Sequence, residues 1–166
     1  EQGEPFTAGN LSVEIPEPKF LADFNHRVKS VGKVLYDLAL MPKKRSPIDK
    51  AIAERLKRYW SKMLNQIRNL DVEKDWETIE ARVRAPVEHI FNNHQYCSDE
   101  WCYHLQALKE GEEYTPSALR PYYSKEKDKI LYNQLTMVLE RFQTKRTVNE
   151  CLHLFDTQKN ESVNQQ

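Results

Sequence analysis

Ser46-Pro-Ile-Asp-Lys-Ala-Ile-Ala-Glu-Arg-Leu-Lys-Arg-Tyr-Trp-Ser-Lys-Met-Leu-Asn-Gln-Ile67 is the stretch whose reading decides the fold class. Ile48, Ile52, Leu56, Tyr59, Met63 and Ile67 recur at steps of three and four, the period that places side chains on one face of an α-helix. Ser46 followed by Pro47 predicts the start. Serine serves as N-cap, proline takes the first helical position where its missing N–H costs nothing, and Asp49 sits near the positive end of the helix dipole.

The same period extends in both directions. From Phe20, residues Val28, Val31, Leu35 and Leu38 form one stripe with Phe24 a turn before them, and Met41-Pro-Lys-Lys-Arg-Ser-Pro47 breaks that helix. After a short connection at Leu70 to Lys74, Trp76, Ile79, Val83, Val87 and Ile90 mark a third helix that Pro86 must kink or divide. Gly111 to Ser124 reads as an ordered loop. Leu131, Leu135, Val138 and Phe142 mark a fourth long helix beginning after Ser124, and a shorter segment runs from Val148 to Phe155. Residues 1–19 form an extended lead-in in which Leu11-Ser-Val-Glu-Ile15 alternates apolar and polar, as one strand would. The expectation is a mainly α protein: a lead-in over 1–19, a helical region over 20–155 with a Cys/His segment at 89–104, and a last helix opening within 156–166.

Composition narrows the function classes. With 166 residues the chain is one domain, and Lys plus Arg equals Asp plus Glu, which argues against wholesale coating of nucleic acid while leaving a local basic patch open. Four glycines are too few for a phosphate loop or a turn-rich all-β fold. No apolar run is long enough for a membrane span, and no signal peptide is visible. Of three cysteines, Cys97 and Cys102 lie close together beside histidines and Cys151 stands apart, which suits a reducing compartment and metal chemistry better than a disulfide framework.

Three constellations can carry chemistry. Asp23-Phe-Asn-His26 puts a carboxylate and an imidazole on one helical face, either to ligate or orient a metal or as a plain exposed or capping pair. Arg27, Lys29 and Lys33 behind it fit contacts to a phosphate backbone or a solvated face. His89 and His94, with four residues between them, precede Cys97 and Cys102 by short loops, and thiolate and imidazole are the ligands tetrahedral zinc prefers. The spacing departs from a standard zinc finger, His104 or water is a substitute for His89 or Cys102, and the plain alternative is a helix end with buried thiols and surface histidines. Thr157-Gln-Lys-Asn-Glu-Ser-Val-Asn-Gln-Gln166 places Glu161 in the first turn of a helix capped by Asp156 or Asn160, where it stays ionised and can hold a divalent cation, or forms an ordinary polar helix start. Trp60, Trp76 and Trp101 read as packing anchors, and Lys43-Lys-Arg45 as a solvated turn.

In this order the three pieces resemble the catalytic region of Mutator-like transposases, over about Phe20 to Asn164. Asp23-Phe-Asn-His26 looks like the (Cys/Asp)-x-x-His motif that follows the second catalytic Asp in such DDE families. His94-Gln-Tyr-Cys97-Ser-Asp-Glu-Trp101-Cys102 is similar to the His-x-x-Cys…Trp-Cys segment of their helical insertion, and Thr157-Gln-Lys-Asn-Glu161-Ser-Val-Asn164 to the block that supplies the catalytic Glu. The resemblance implies an RNase H-like α/β core in which two Asp and one Glu hold two Mg²⁺ ions for phosphodiester cleavage and strand transfer. It makes Glu161 a catalytic ligand, Asp23 and His26 a supporting motif, and Arg27, Lys29 and Lys33 DNA-facing. Zn²⁺ falls to His89, His94, Cys97 and Cys102. It further implies transposon-end DNA as partner, possible oligomers, no membrane and a nuclear location in a eukaryote. One departure matters: residues 1–22 hold no Asp, so both early catalytic carboxylates are missing. The chain therefore reads as the C-terminal part of the catalytic region, mostly its insertion, cut out or incompletely framed and inert by itself. The competing expectation is a non-catalytic, zinc-stabilised helical module that binds DNA or protein.

Overall fold

The computed structural model describes residues 24–152, and these are mainly helical, as the period predicts, with no strand among the described residues. The helices are α1 (Phe24–Ala39), α2 (Lys50–Ile67), α3 (Trp76–Val83), α4 (Ala85–Ile90), α5 (Tyr103–Lys109) and α6 (Lys129–Leu139). A 3-10 turn at Glu140–Phe142 follows α6, and residues 145–152 are helical again. The Leu11–Ile15 strand, Asp23 and the helix expected to open around Glu161 lie outside the described residues.

α2 is the axis of the molecule and packs against α1, α3 and α4. Ile52, Leu56, Met63 and Ile67 are buried along one side of it, as their spacing anticipates, while Trp60 is buried in the stripe and Tyr59, expected there, is half-buried. Its start differs from expectation by three residues. Asp49 is the N-cap, and its Oδ1 accepts the Ile52 N–H at 2.8 Å. Ser46 is held instead by a tight turn in which its N–H donates to the Pro42 carbonyl at 3.1 Å. There its buried hydroxyl accepts the Ile48 N–H at 3.3 Å and donates to Gln134 Oε1 at 3.2 Å. Two start signals compete within four residues, and the carboxylate wins because its oxygen reaches an amide that would otherwise lack a partner.

Pro86 divides the third helix as anticipated. Its ring excludes the carbonyl four residues back, so α3 ends at Val83 and α4 begins at Ala85 with proline in the first turn, where no N–H is needed. Gln143 Nε2 donates to the Val83 carbonyl at this break, at 3.1 Å. The last long helix starts later than the apolar pattern suggests. Ser124 donates its N–H to Asp128 Oδ2 at 2.9 Å, while the Asp128 N–H returns to the Ser124 carbonyl at 2.7 Å, so residues 124–128 form a turn before α6. Phe142 falls in the 3-10 turn and meets Trp60 edge-on at 6.4 Å between ring centroids.

The chain closes on itself. Arg27, near the start of α1, pairs with Glu150 at 2.6 Å, and Val31, Trp60, Phe142, Val148 and Cys151 line one small apolar seam beside this ion pair. A second, smaller core gathers Ala85, Cys97, Trp101 and Cys102 with Tyr59, Tyr96 and Leu105.

Candidate metal centre

The second core is built by the way α4 ends. His89 lies in its last turn and is buried. The Asn93 N–H donates to the Glu88 carbonyl at 3.0 Å and the Asn92 N–H to the His89 carbonyl at 3.1 Å, the paired bonds of a Schellman closure. That closure needs a left-handed residue, and Asn92 supplies it with φ 59°, a region asparagine tolerates better than most side chains. The chain turns back over α4, and the Cys97 N–H donates to the His94 carbonyl at 3.1 Å. The Cys102 N–H then donates to the Ser98 carbonyl at 2.9 Å, which sets Cys102 at the start of α5. Arg82 of α3 fastens this loop from below by donating to the carbonyls of Tyr96 and Cys97.

Four ligand atoms converge as a result. His89 Nδ1 stands 3.3 Å from Cys97 Sγ and 3.6 Å from Cys102 Sγ, and His94 Nδ1 stands 3.8 Å and 3.4 Å from the same sulfurs. All four lie within 4.8 Å of one another. A tetrahedron with Zn–S of about 2.3 Å and Zn–N of about 2.0 Å has sulfur–nitrogen edges of about 3.5 Å, so the cluster has the size that zinc requires. Two thiolates and two neutral imidazoles around Zn²⁺ also sum to zero charge, which lets the site be buried without leaving an unpaired ion.

The surroundings favour the ligand forms. Burial holds His89 below the ordinary imidazole value, against the pull of Cys102, so the ring stays neutral. The bond from Cys97 holds Cys102 well below the usual thiol range despite its burial. His89, His94 and the Leu105 backbone N–H act in the same direction. Cys97 is pushed up correspondingly, first by that bond and then by burial. A proton shared by the two sulfurs is what a cation displaces on binding. Beyond the ligands, His94 Nε2 lies 3.0 Å from Asn92 Oδ1, the outer contact that fixes a ligating imidazole. Tyr59 meets the His89 ring edge-on at 4.6 Å, Trp101 lies 5.2 Å from it, and Trp101 Nε1 donates to Gln66 Oε1 at 3.4 Å.

The structure thus brings together His89, His94, Cys97 and Cys102 as a site able to hold a metal such as zinc. His104 stacks on His94 with centroids 4.0 Å apart and does not belong to the ligand group. Asn92 and Arg82, which shape the site, carry no sequence signal beyond a lone Asn-Asn pair and an ordinary charge. The other predicted residues that are described lie on α1. His26 and Lys29 are exposed, Lys33 pairs with Asp37 at 2.8 Å, and Arg27 is tied to Glu150. Glu161 and Asp23 are outside the described residues, and no carboxylate group suited to Mg²⁺ occurs among those described. No helix among the described residues is long and apolar enough to cross a membrane. No known protein family, curated protein or solved structure matches the chain significantly.

Proposed function

We propose that residues 24–152 are a helical insertion, folded on a structural zinc ion, within a DNA transposase of the Mutator-like kind. The observation that carries this reading is the meeting of Arg27 and Glu150. It sets the chain just after Asp23 beside the helical stretch that leads toward Glu161, and an insertion must return the chain to the place where it left its host domain. In this reading the RNase H-like core lies outside the described residues, and Asp23, His26 and Glu161 border one catalytic centre. Metal ions held there supply a polarised phosphodiester and an activated nucleophile. The two further Asp that such a centre needs are not found in residues 1–22. The test is a longer chain carrying them: Glu161→Gln should abolish Mg²⁺-dependent nicking of DNA while leaving the fold intact.

A second reading is favoured by the Cys/His site itself. Its four protein ligands close the coordination shell, three of them buried, and closed shells are structural where catalytic zinc keeps a position for water. A non-catalytic module that binds DNA or protein requires nothing more. Unchanged nicking in the Glu161→Gln chain would favour it.

A further inference from the structure

The two sulfurs of the Cys/His centre stand in unequal surroundings. Cys97 lines an open cleft of about 420 Å³ together with Arg82, Leu105, Lys109 and the exposed Leu108. Cys102 has no exposed surface and packs with Trp101 in the small core. The sulfurs nevertheless face each other. The ligand atoms of the site all lie within 4.8 Å of one another, and a hydrogen bond links the two cysteine side chains. The chain between them is short and already curled. The Trp101 N–H donates to the Ser98 carbonyl at 3.3 Å and the Cys102 N–H to the same carbonyl at 2.9 Å, so Cys97 and Cys102 flank a single turn. The third cysteine, Cys151, belongs to the main core with Val148 and Leu152, apart from this cluster.

We infer that Cys97 and Cys102 are a redox-modification site, at which a peroxide turns the metal-holding pair into an intramolecular disulfide and so releases the zinc. The inference rests on the zinc reading of the centre and not on the transposase reading. In the loaded site both sulfurs are thiolates, the form that reacts, so access decides which reacts first. The cleft makes that sulfur Cys97. Its Sγ attacks one peroxide oxygen, the O–O bond breaks, and the departing hydroxide is protonated by solvent, leaving a sulfenic acid on Cys97. Cys102 Sγ then attacks the Cys97 sulfur, the S–O bond breaks, and a second hydroxide leaves and is protonated. Two thiolates have lost two electrons, and hydrogen peroxide with two protons has become two waters. The neighbouring Cys102 captures the sulfenic acid before a second peroxide can carry it to the irreversible sulfinic acid. In the product the sulfurs sit about 2.05 Å apart and carry no charge. His89 and His94 remain as two neutral imidazoles, too few for the four-coordinate shell of structural zinc.

The experiment adds a small excess of hydrogen peroxide to the full 166-residue chain loaded with zinc, against a peroxide-free control. A chromogenic chelator reads released zinc, and mass spectrometry reads the tryptic peptide spanning 85–109, which holds both cysteines and no methionine. Peroxide should release the one zinc of each chain and leave that peptide lighter by two hydrogens. Dithiothreitol with added zinc should restore the metal content, and Cys151→Ser should respond as the native chain does. Zinc retained in the presence of peroxide, zinc released while the peptide gains oxygen instead of losing hydrogen, or a disulfide through Cys151 would each overturn the inference and leave the centre standing. A chain that holds no zinc before peroxide is added overturns the inference together with the centre. No DNA is present in the assay, so its outcome is separate from that of the transposase reading.

Discussion

Asn92 holds two features of the centre at one position: the left-handed turn that ends α4 and the contact that orients His94. The two separate by substitution. Asn92→Ala keeps a Cβ in the left-handed region without the side-chain amide that eases it there, loses the outer contact as well, and should lower the stability of the zinc-loaded chain by about 1–2 kcal/mol in urea unfolding. Asn92→Gly keeps the turn without that strain and removes only the outer contact, so its stability should stay near native while zinc affinity falls about 10-fold to 100-fold in chelator competition. Native zinc affinity in Asn92→Gly would mean that the His94 contact does not matter. The ligands themselves were legible in the sequence because their identity and tight spacing are chemical facts of the chain. The tetrahedron was not, since whether His104 or His89 joins it depends on a backbone angle that no residue type dictates.

Among the elements, α4 and α6 are joined by a polar contact rather than by apolar stripes alone. Glu88 accepts the Tyr132 hydroxyl at 2.6 Å, Lys125 Nζ at 2.6 Å and Asn93 Nδ2 at 2.9 Å. Burial pushes its carboxyl up, but Lys125, Tyr132 and Asn93 together hold it below the ordinary value, so Glu88 is a carboxylate with its acceptors filled. Tyr132→Phe should leave that buried oxygen short of a donor and cost about 1–3 kcal/mol in denaturant unfolding, where a loss near zero would show the link to be idle. At the start of α2, Asp49→Ala should cost about 1 kcal/mol, the usual worth of a lost cap. The helical stripes on α1, α2 and α6 could be read from spacing because each faces one core. α5 escaped the reading for the converse reason: Tyr103-His-Leu-Gln-Ala-Leu-Lys109 buries no residue fully, so no apolar period announces it. The starts of α2 and α6 were each set by an aspartate whose competition with a nearby serine is decided only in three dimensions.

For the molecule as a whole, two polar devices join distant segments beside the shared apolar core: the Arg27–Glu150 pair and the Cys/His centre. The first is partly exposed, so a double-mutant cycle with Arg27→Ala and Glu150→Ala should give a coupling of only about 0.5–1 kcal/mol. The second carries more, because zinc bound by the folded state alone adds its binding free energy to stability. The small core around Cys97, Trp101 and Cys102 has little apolar mass of its own, so a metal held there should supply much of its stability. The decisive measurement is the metal content of the chain purified under reducing conditions, followed by thermal unfolding before and after chelation. The account predicts one zinc per chain, lost together with several degrees or more of Tm on chelation, and absent from Cys97→Ser and Cys102→Ser. A chain that contains no zinc and unfolds at the same temperature with or without chelator would contradict it.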